Sequence, residues 1–441
     1  MRLALLGLLL ATACRTTTAA SEAGLSTRDR ARLLVTRGRA SEAVPLYEAL
    51  YAGTPGDLSL GRALAEAHVK AGSDAAFVAQ LSTRDTAVSH YLRGLVLFAR
   101  AADASGPAVA AFQRAVELAP DEPEFAFRLG IALLESERDD EAKPWLEKAV
   151  ARASARPGWL LPLAKARFRT GDRAGAVAAI RDAMHADPTE GDAATAKALM
   201  GQIADPFAGF PQAAKAQLEQ GINWLQVADV PQQAIVSLDE VARAYPDLAV
   251  VHALLGLAYA RLDDAGRAVD ELKRAIELAP DDGKNHLYLA ELYLGRQRVE
   301  QARALLAKAV ELNPALAVAW FRLGDLALER QSLDDARKAF RLASRLEPDD
   351  GNARGKLALV YQLEGDWPAA DRELNAVMER EPSNLDFMLR LGLLHTERFI
   401  KTKGAEKQVA ADEAGRWLAK VLEAQPENVL ASKALERIKG R

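Results

Sequence analysis

The sequence predicts an all-α solenoid, a stack of two-helix units rather than a few separate globular cores, and three observations predict it. Pro246, Pro280, Pro314, Pro348 and Pro382 stand 34 residues apart four times in succession, which is the period of a helix-turn-helix repeat. On the same grid, Ala234, Ala268, Ala302, Ala336 and Ala370 fall twelve residues before the prolines, and Leu238, Leu272, Leu306, Phe340 and Leu374 eight before. The stretches between are dominated by Ala, Leu, Arg and Glu, the strong helix formers, with aromatics at only 6%. A chain of 441 residues could hold two or three ordinary domains, but repeats lengthen without new cores.

The first element is different in kind. Arg2 supplies a positive end, Leu3 to Ala13 carry no charge, and the run ends in small residues. This is signal-peptide anatomy, and it falls well short of the roughly 20 apolar residues that a membrane span needs. It ends on "LATAC", whose Cys14 is the only cysteine. "LATAC" resembles the lipobox of bacterial lipoproteins, in which small residues precede a Cys that is lipidated and becomes the mature N-terminus; Ala13 and Thr12 fit, and Ala11 departs from the usual Leu. A free thiol with no second Cys is a liability in an oxidising compartment, whereas a lipidated one is not. More than one acyl chain, as the resemblance implies, meets the need for stable anchoring. The alternative is an ordinary signal peptide cut near Ala19 or Ala20, which discards the Cys. Arg15 stands where an Asp would favour inner-membrane retention, so the resemblance implies the outer membrane, facing the periplasm. "RTTTAASEAG", Arg15 to Gly24, reads as a polar tether with a reach of about 17–19 Å.

The repeats follow. "RARLLVTRGRASEAVPLYEALYAGTP", Arg30 to Pro55, is the first unit, and Leu58 to about Asp85 a degenerate second. "YLRGLVLFARAADASGPAVAAFQRAVELAP" closes at Pro120 with an enlarged turn. "PEFAFRLGIALLESERDDEAKPWLEKAV", Pro123 to Val150, has Ser154 where the closing Pro would fall, and the next unit closes at Pro188. In "ADPFAGFPQAA", Pro206, Gly209 and Pro211 forbid a continuous helix, making Ala204 to Ala214 the expected hinge. The regular array then runs to Pro426, its last unit lengthened by an insertion near 396–413. "ENVLASKALERIKGR" reads as the polar-faced cap that an open solenoid end needs.

"VVHALLGLAYARLDDAGRAVDELKRAIELAP", Val250 to Pro280, and "AWFRLGDLALERQSLDDARKAFRLASRLEP", Ala319 to Pro348, resemble the tetratricopeptide (TPR) repeat: an aromatic, Leu-Gly, a second aromatic, Ala, a large apolar residue, Ala and a closing Pro. His252 departs at the opening aromatic, and Ala327 at the second. The resemblance implies a TPR-type α-solenoid, a right-handed superhelix. Its organisation is a lipoprotein signal peptide at 1–13, lipidated Cys and tether at 14–23, N-terminal array at 24–203, hinge at 204–214, C-terminal array at 215–426 and capping helix at 427–441.

The residues give the same architecture without the name. Apolar positions recur at three- and four-residue steps, drop out over "LDDAG" or "EGDW", and resume, giving two amphipathic helices and a tight turn. Small residues at Gly256, Gly324, Gly392 and the Ala series let helices approach closely. The closing Pro cannot continue the second helix. Leu in place of Ala302 would overpack the pair by about 1–3 kcal/mol.

Charge and motifs narrow the function. The 57 basic and 61 acidic residues give a net charge of -4 and are dispersed along the chain, so no basic surface for nucleic acid is expected. His252 and His286 occupy equivalent places in adjacent repeats, but that slot is the packing aromatic's, which favours packing over a metal pair. Asp263-Asp264, Asp281-Asp282, Asp334-Asp335 and Asp349-Asp350 fall in turns, where Asp caps helices. With no nucleophile motif or phosphate loop, no enzyme and no cofactor are expected.

The resemblance implies that first helices line a groove, with residues one and five beyond the opening aromatic pointing into it. Those places hold Phe127 and Ile131, Leu161 and Lys165, Ala253 and Leu257, Leu287 and Glu291, Phe321 and Asp325, Gly355 and Leu359, and Leu389 and Leu393. The partner-facing set is all of these except Lys165 and Gly355. The basic-and-Asn clamp of chaperone-binding TPRs is missing, and the groove reads as aliphatic with sparse acids, suited to an amphipathic helix or extended segment of a protein partner. The expected function is a lipid-anchored scaffold or assembly factor for an envelope machine such as a pilus, secretion, polysaccharide-export or outer-membrane assembly apparatus. The alternative is a binder or regulator of cell-wall material or of a wall-synthesising enzyme.

Overall fold

A computed structural model describes residues 25–100, 105–153, 156–205 and 210–440. Cys14, the leader and the tether lie outside the described residues. Among those described, 24 helices and no strand are present, and the fold is an all-α solenoid of helical hairpins. No described helix is long and apolar enough to cross a membrane. The helices form two compact units, one ending at Asp172 and the other beginning at Arg173.

The first unit holds α1 (Thr27–Thr36), α2 (Ala40–Gly53), α3 (Leu58–Ala71), α4 (Asp74–Ser82), α5 (Ala87–Arg100), α6 (Ser105–Leu118), α7 (Pro123–Glu135), α8 (Asp139–Arg152) and α9 (Pro157–Arg169). Its core runs continuously from Ala31 to Ala166, with Tyr91 and Phe112 almost wholly buried.

The second unit opens with α10 (Arg173–His185) and α11 (Glu190–Ile203). Six hairpins follow: α12 (Gln212–Gln226) with α13 (Pro231–Ala244), α14 (Ala249–Arg261) with α15 (Ala265–Leu278), α16 (Gly283–Leu294) with α17 (Val299–Leu312), α18 (Ala317–Glu329) with α19 (Leu333–Leu346), α20 (Gly351–Glu364) with α21 (Trp367–Arg380), and α22 (Leu385–Lys401) with α23 (Gly404–Ala424). The cap is α24 (Val429–Lys439).

The unit boundary falls at residues 172 and 173, inside the repeat that closes at Pro188. The physical reason is that α11 packs on α19, drawing α10 and α11 into the second unit. Of the expected hinge, residues 206–209 lie outside the described residues. The insertion lengthens both helices of the last hairpin, α22 to 17 residues and α23 to 21, joined by a short connection at Thr402 and Lys403.

Four hairpins of the second unit turn the same way. Asp263, Gln297 and Gln331 have φ of 58°, and Gly365, on the same 34-residue grid, 80°. This left-handed residue lets the next N–H reach back to close the helix: Asp264 to Tyr259 O at 3.0 Å, Arg298 to Tyr293 O at 2.9 Å, Ser332 to Ala327 O at 2.9 Å and Asp366 to Tyr361 O at 2.9 Å. Asp264, Asp282 and Asp350 cap the following helices, accepting from the N–H groups of Arg267, Lys284 and Asn352. Three of the four acid pairs are thus helix caps and turn residues, whereas Asp334 and Asp335 lie within the first turn of α19, whose N-cap is Ser332, and there favour the helix dipole instead of capping it.

Within a hairpin, a small residue meets a large one sixteen places on. A Cβ added at Gly324 would lie 2.7 Å from Cε1 of Phe340, and one at Gly256 would lie 2.6 Å from Cγ of Leu272. The glycines therefore set the distance at which the two helices pack.

Candidate functional site

The face lined by first helices α14, α16, α18, α20 and α22 of the second unit carries a charged ladder. Arg322 holds Glu291 of the preceding repeat through two bonds, Nε to Oε1 at 2.7 Å and Nη2 to Oε2 at 3.0 Å. Nη1 of the same Arg322 lies 3.9 Å from Asp325, which takes Nζ of Lys356 from the following repeat at 2.8 Å. Beyond it, Gln362 donates to Glu397 of α22, whose carboxylate also pairs with Lys401 at 2.7 Å. Glu291 and Asp325 are thus joined across three repeats through two cations that the reading of the groove as aliphatic omits. The signal for them is present: Arg322, Lys356 and Arg390 stand 34 residues apart, one place after the position taken as groove-facing.

The expected apolar residues divide by burial. Phe127, Leu161, Ala253 and Leu287 are buried, which withdraws them from the open face. Phe127 shows why: its ring stacks on Trp159 of the next repeat at 4.5 Å, filling the joint between units. Ile131, Leu257, Phe321, Leu389 and Leu393 are half-buried, and Leu359 is exposed. Phe321 stands edge-on to Phe340 at 5.6 Å. Leu363, one turn beyond Leu359 on α20, is 57% exposed and extends the open apolar surface. In the second unit the candidate site is therefore a mixed surface: the Glu291–Arg322–Asp325–Lys356 ladder flanked by Leu257, Phe321, Leu359, Leu363, Leu389 and Leu393.

His252 and His286 serve the repeats themselves. Nε2 of His252 lies 2.9 Å from the carbonyl of Pro246 and Nδ1 lies 2.7 Å from Glu271. Trp320 places its indole N–H 2.8 Å from the carbonyl of Pro314, six residues back on the same register. In these two repeats a ring nitrogen at this slot meets the closing Pro carbonyl, His252 as Trp320 does. Both acceptors facing His252 lack a proton to give, which favours the protonated ring; the bond to Glu271 leads in pushing its pKa upward, against desolvation. His286 is buried, with Nδ1 3.3 Å from Asp282 O.

The tryptophans are mostly committed too: Trp159, Trp320 and Trp417 are buried, Trp145 packs under Lys148, and Trp367 under Lys401.

Residues 98–157, 259–323 and 297–360 match tetratricopeptide-repeat families, so these segments are TPR repeats. No curated protein matches the chain. Among solved structures, YrrB, described as a TPR protein with an unusual peptide-binding site, is 18% identical over 45% of this chain and 96% of its own, with a TM-score of 0.39. PilF of Pseudomonas aeruginosa is 18% identical over 50% of this chain and 96% of its own, with a TM-score of 0.43. PilW, a type IV pilus biogenesis factor, is 16% identical over 51% and 99%, with a TM-score of 0.41. These likenesses concern the fold alone.

Proposed function

We propose that the protein is an exported, lipid-anchored scaffold that presents the first-helix face of its second unit to a protein partner on the periplasmic side of the outer membrane, and that it acts by binding alone. The observation that carries the reading is the ladder with its apolar flanks. Exposed ion pairs contribute little to the stability of the solenoid, about 0–1 kcal/mol each, and half-buried Phe321, Leu389 and Leu393 beside them are available to a ligand. Such a face suits an amphipathic segment that exchanges some of these ion pairs for its own while covering the leucines. The "LATAC" segment supports the anchor, and the composition supports a protein rather than a nucleic-acid partner. The envelope machine served would be of the pilus, secretion, polysaccharide-export or outer-membrane assembly kind.

The test is in-cell crosslinking of the anchored protein, comparing wild type with Leu257→Glu, Phe321→Glu and Leu393→Glu combined, and separately with Arg322→Glu and Lys356→Glu. Loss of the same crosslinked partner in both sets, with helicity retained, is expected. A partner captured equally by all three proteins would refute the assignment of this face.

A further inference from the structure

In a solenoid each repeat touches its neighbours, and among the extensively packed helix pairs of the second unit one departs from this: α11 packs on α19. The polar part of the contact is ionic. Asp187 sits between Arg345, which donates to it, and Arg341, whose Nη1 is 3.5 Å away. Glu190 is gripped by Arg354 through one oxygen and by Nη2 of Arg380 at 3.1 Å through the other. Lys197, two turns on, returns a bond of 2.5 Å to Glu347. His185 meets Trp320 edge-on at 5.9 Å. The four arginines come from α19, α20 and α21, and three are anchored independently of α11: Arg341 to the Tyr361 hydroxyl at 2.9 Å, Arg354 to Glu373 at 3.1 Å, and Arg380 to the carbonyl of Pro348.

A cleft lies beneath these charges. Ala194 and Ala198 of α11 face Leu346 and Pro348 across a cleft of about 390 Å³ that remains open between the helices. The cradle is thus preorganised by its own repeats, while α11 is held both by these charges and by its buried Ala193, Ala196, Leu199, Met200 and Ile203.

We propose that Arg341, Arg345, Arg354 and Arg380 form a carboxylate-reading cradle, that α11 is its displaceable built-in occupant, and that its ligand in trans is the acidic N-terminus of a partner helix, with two carboxylates three residues apart as in Asp187 and Glu190. The occupant supplies the template for the ligand: an Asp-Pro-Thr-Glu start, then small residues where Ala194 and Ala198 lie. Occupation in cis lowers the apparent affinity for any trans ligand, because only the fraction with α11 lifted can bind. The cradle lies on α19, the first residues of α20 and the end of α21, so it is separate from the first-helix ladder, and its test does not depend on that face.

The experiment measures binding of a fluorescent peptide spanning Ala186 to Ile203 to the full chain. The double variant Asp187→Asn, Glu190→Gln frees the cradle without touching it. It should bind the peptide at least ten-fold tighter than wild type, and the gain should vanish with Arg354→Ala and Arg380→Ala. A peptide carrying Asn and Gln at the same two places should not bind, a control that leaves the protein unaltered should the arginine variant misfold. Equal binding by wild type and the double variant, no binding to either, binding of the neutral peptide as strong as the acidic one, or unfolding of the double variant would each overturn the proposal.

Discussion

The pairing of Gly324 with Phe340 permits a quantitative test of what holds the hairpins together. A Cβ on Gly324 would lie 2.7 Å from Cε1, 2.8 Å from Cδ1 and 2.9 Å from Cζ of Phe340, well inside contact distance. Replacing Gly324 by Ala gains about 1 kcal/mol of helix propensity and incurs about 1–3 kcal/mol of overpacking, so a net loss of about 0–2 kcal/mol is expected. Phe340→Leu alone, at a wholly buried site, loses about 1–2 kcal/mol of burial. One repeat earlier and one later, the same register pairs Ala290 with Leu306 and Ala358 with Leu374, all deeply buried. Gly324→Ala with Phe340→Leu recreates that pairing, so the double variant should be more stable than the sum of the singles by about 1–2 kcal/mol. Because unfolding of a repeat array is not a single step, the assay is hydrogen exchange of the α18 and α19 amides, supported by urea midpoints for the whole chain. Additive effects, or a Gly324→Ala variant that gains the full propensity term, would show that these helices are not held at the distance their glycine sets.

The turns offer a stabilising change: Gln297→Gly with Gln331→Gly relieves two left-handed residues where Gly365 already stands, and a gain of up to about 1 kcal/mol each should raise the melting temperature. Because the pKa of His252 is raised chiefly by Glu271, its contribution is fully present below the ordinary His pKa and lost as pH rises through the elevated one. Thermal stability of the second unit should therefore fall across that window, and His252→Gln should flatten the profile. Asp187 is held below the ordinary carboxylate range, first by Arg345. Its grip on the cradle should be complete above that range and fade on acidification, seen as faster exchange of α11 amides. Cys14→Ser should release the protein from the membrane fraction with its helicity unchanged; retention in membranes would refute the anchor.

The repeats were legible because packing at a period of 34 residues leaves the same residue types at the same places. Pro280, Pro314 and Pro348 mark the ends of second helices, and the acids before α15, α16 and α20 are the caps their positions suggest. The groove was less legible because one position on a helix serves two masters. Phe127 and Leu161 occupy sites that face a partner in some repeats and a neighbouring repeat in others, and only burial separates these. The boundary at residue 172 was invisible for another reason: the attraction of α11 to α19 joins residues about 150 apart through charges on separate repeats, and no local pattern encodes such a meeting.

The two arginine-rich features differ in a way that bears on specificity. Along the first-helix face, each cation is matched by an acid from the adjacent repeat, Arg322 by Glu291 and Lys356 by Asp325, so the ladder is neutral without a ligand. A partner there gains by covering Phe321 and the leucines, and its charges serve mainly to keep register. In the cradle, Arg345 spends its carboxylate bond on Asp187, just before α11, and Arg380 its closer one on Glu190, with Asp349 at 4.0 Å, so lifting that segment exposes both cations to solvent. Binding there should weaken steeply with salt, whereas binding at the ladder should depend on apolar area and hold up better. A salt titration of partner crosslinking therefore assigns a captured partner to one face or the other: a partner lost between low and physiological ionic strength belongs to the cradle, and one that persists belongs to the ladder.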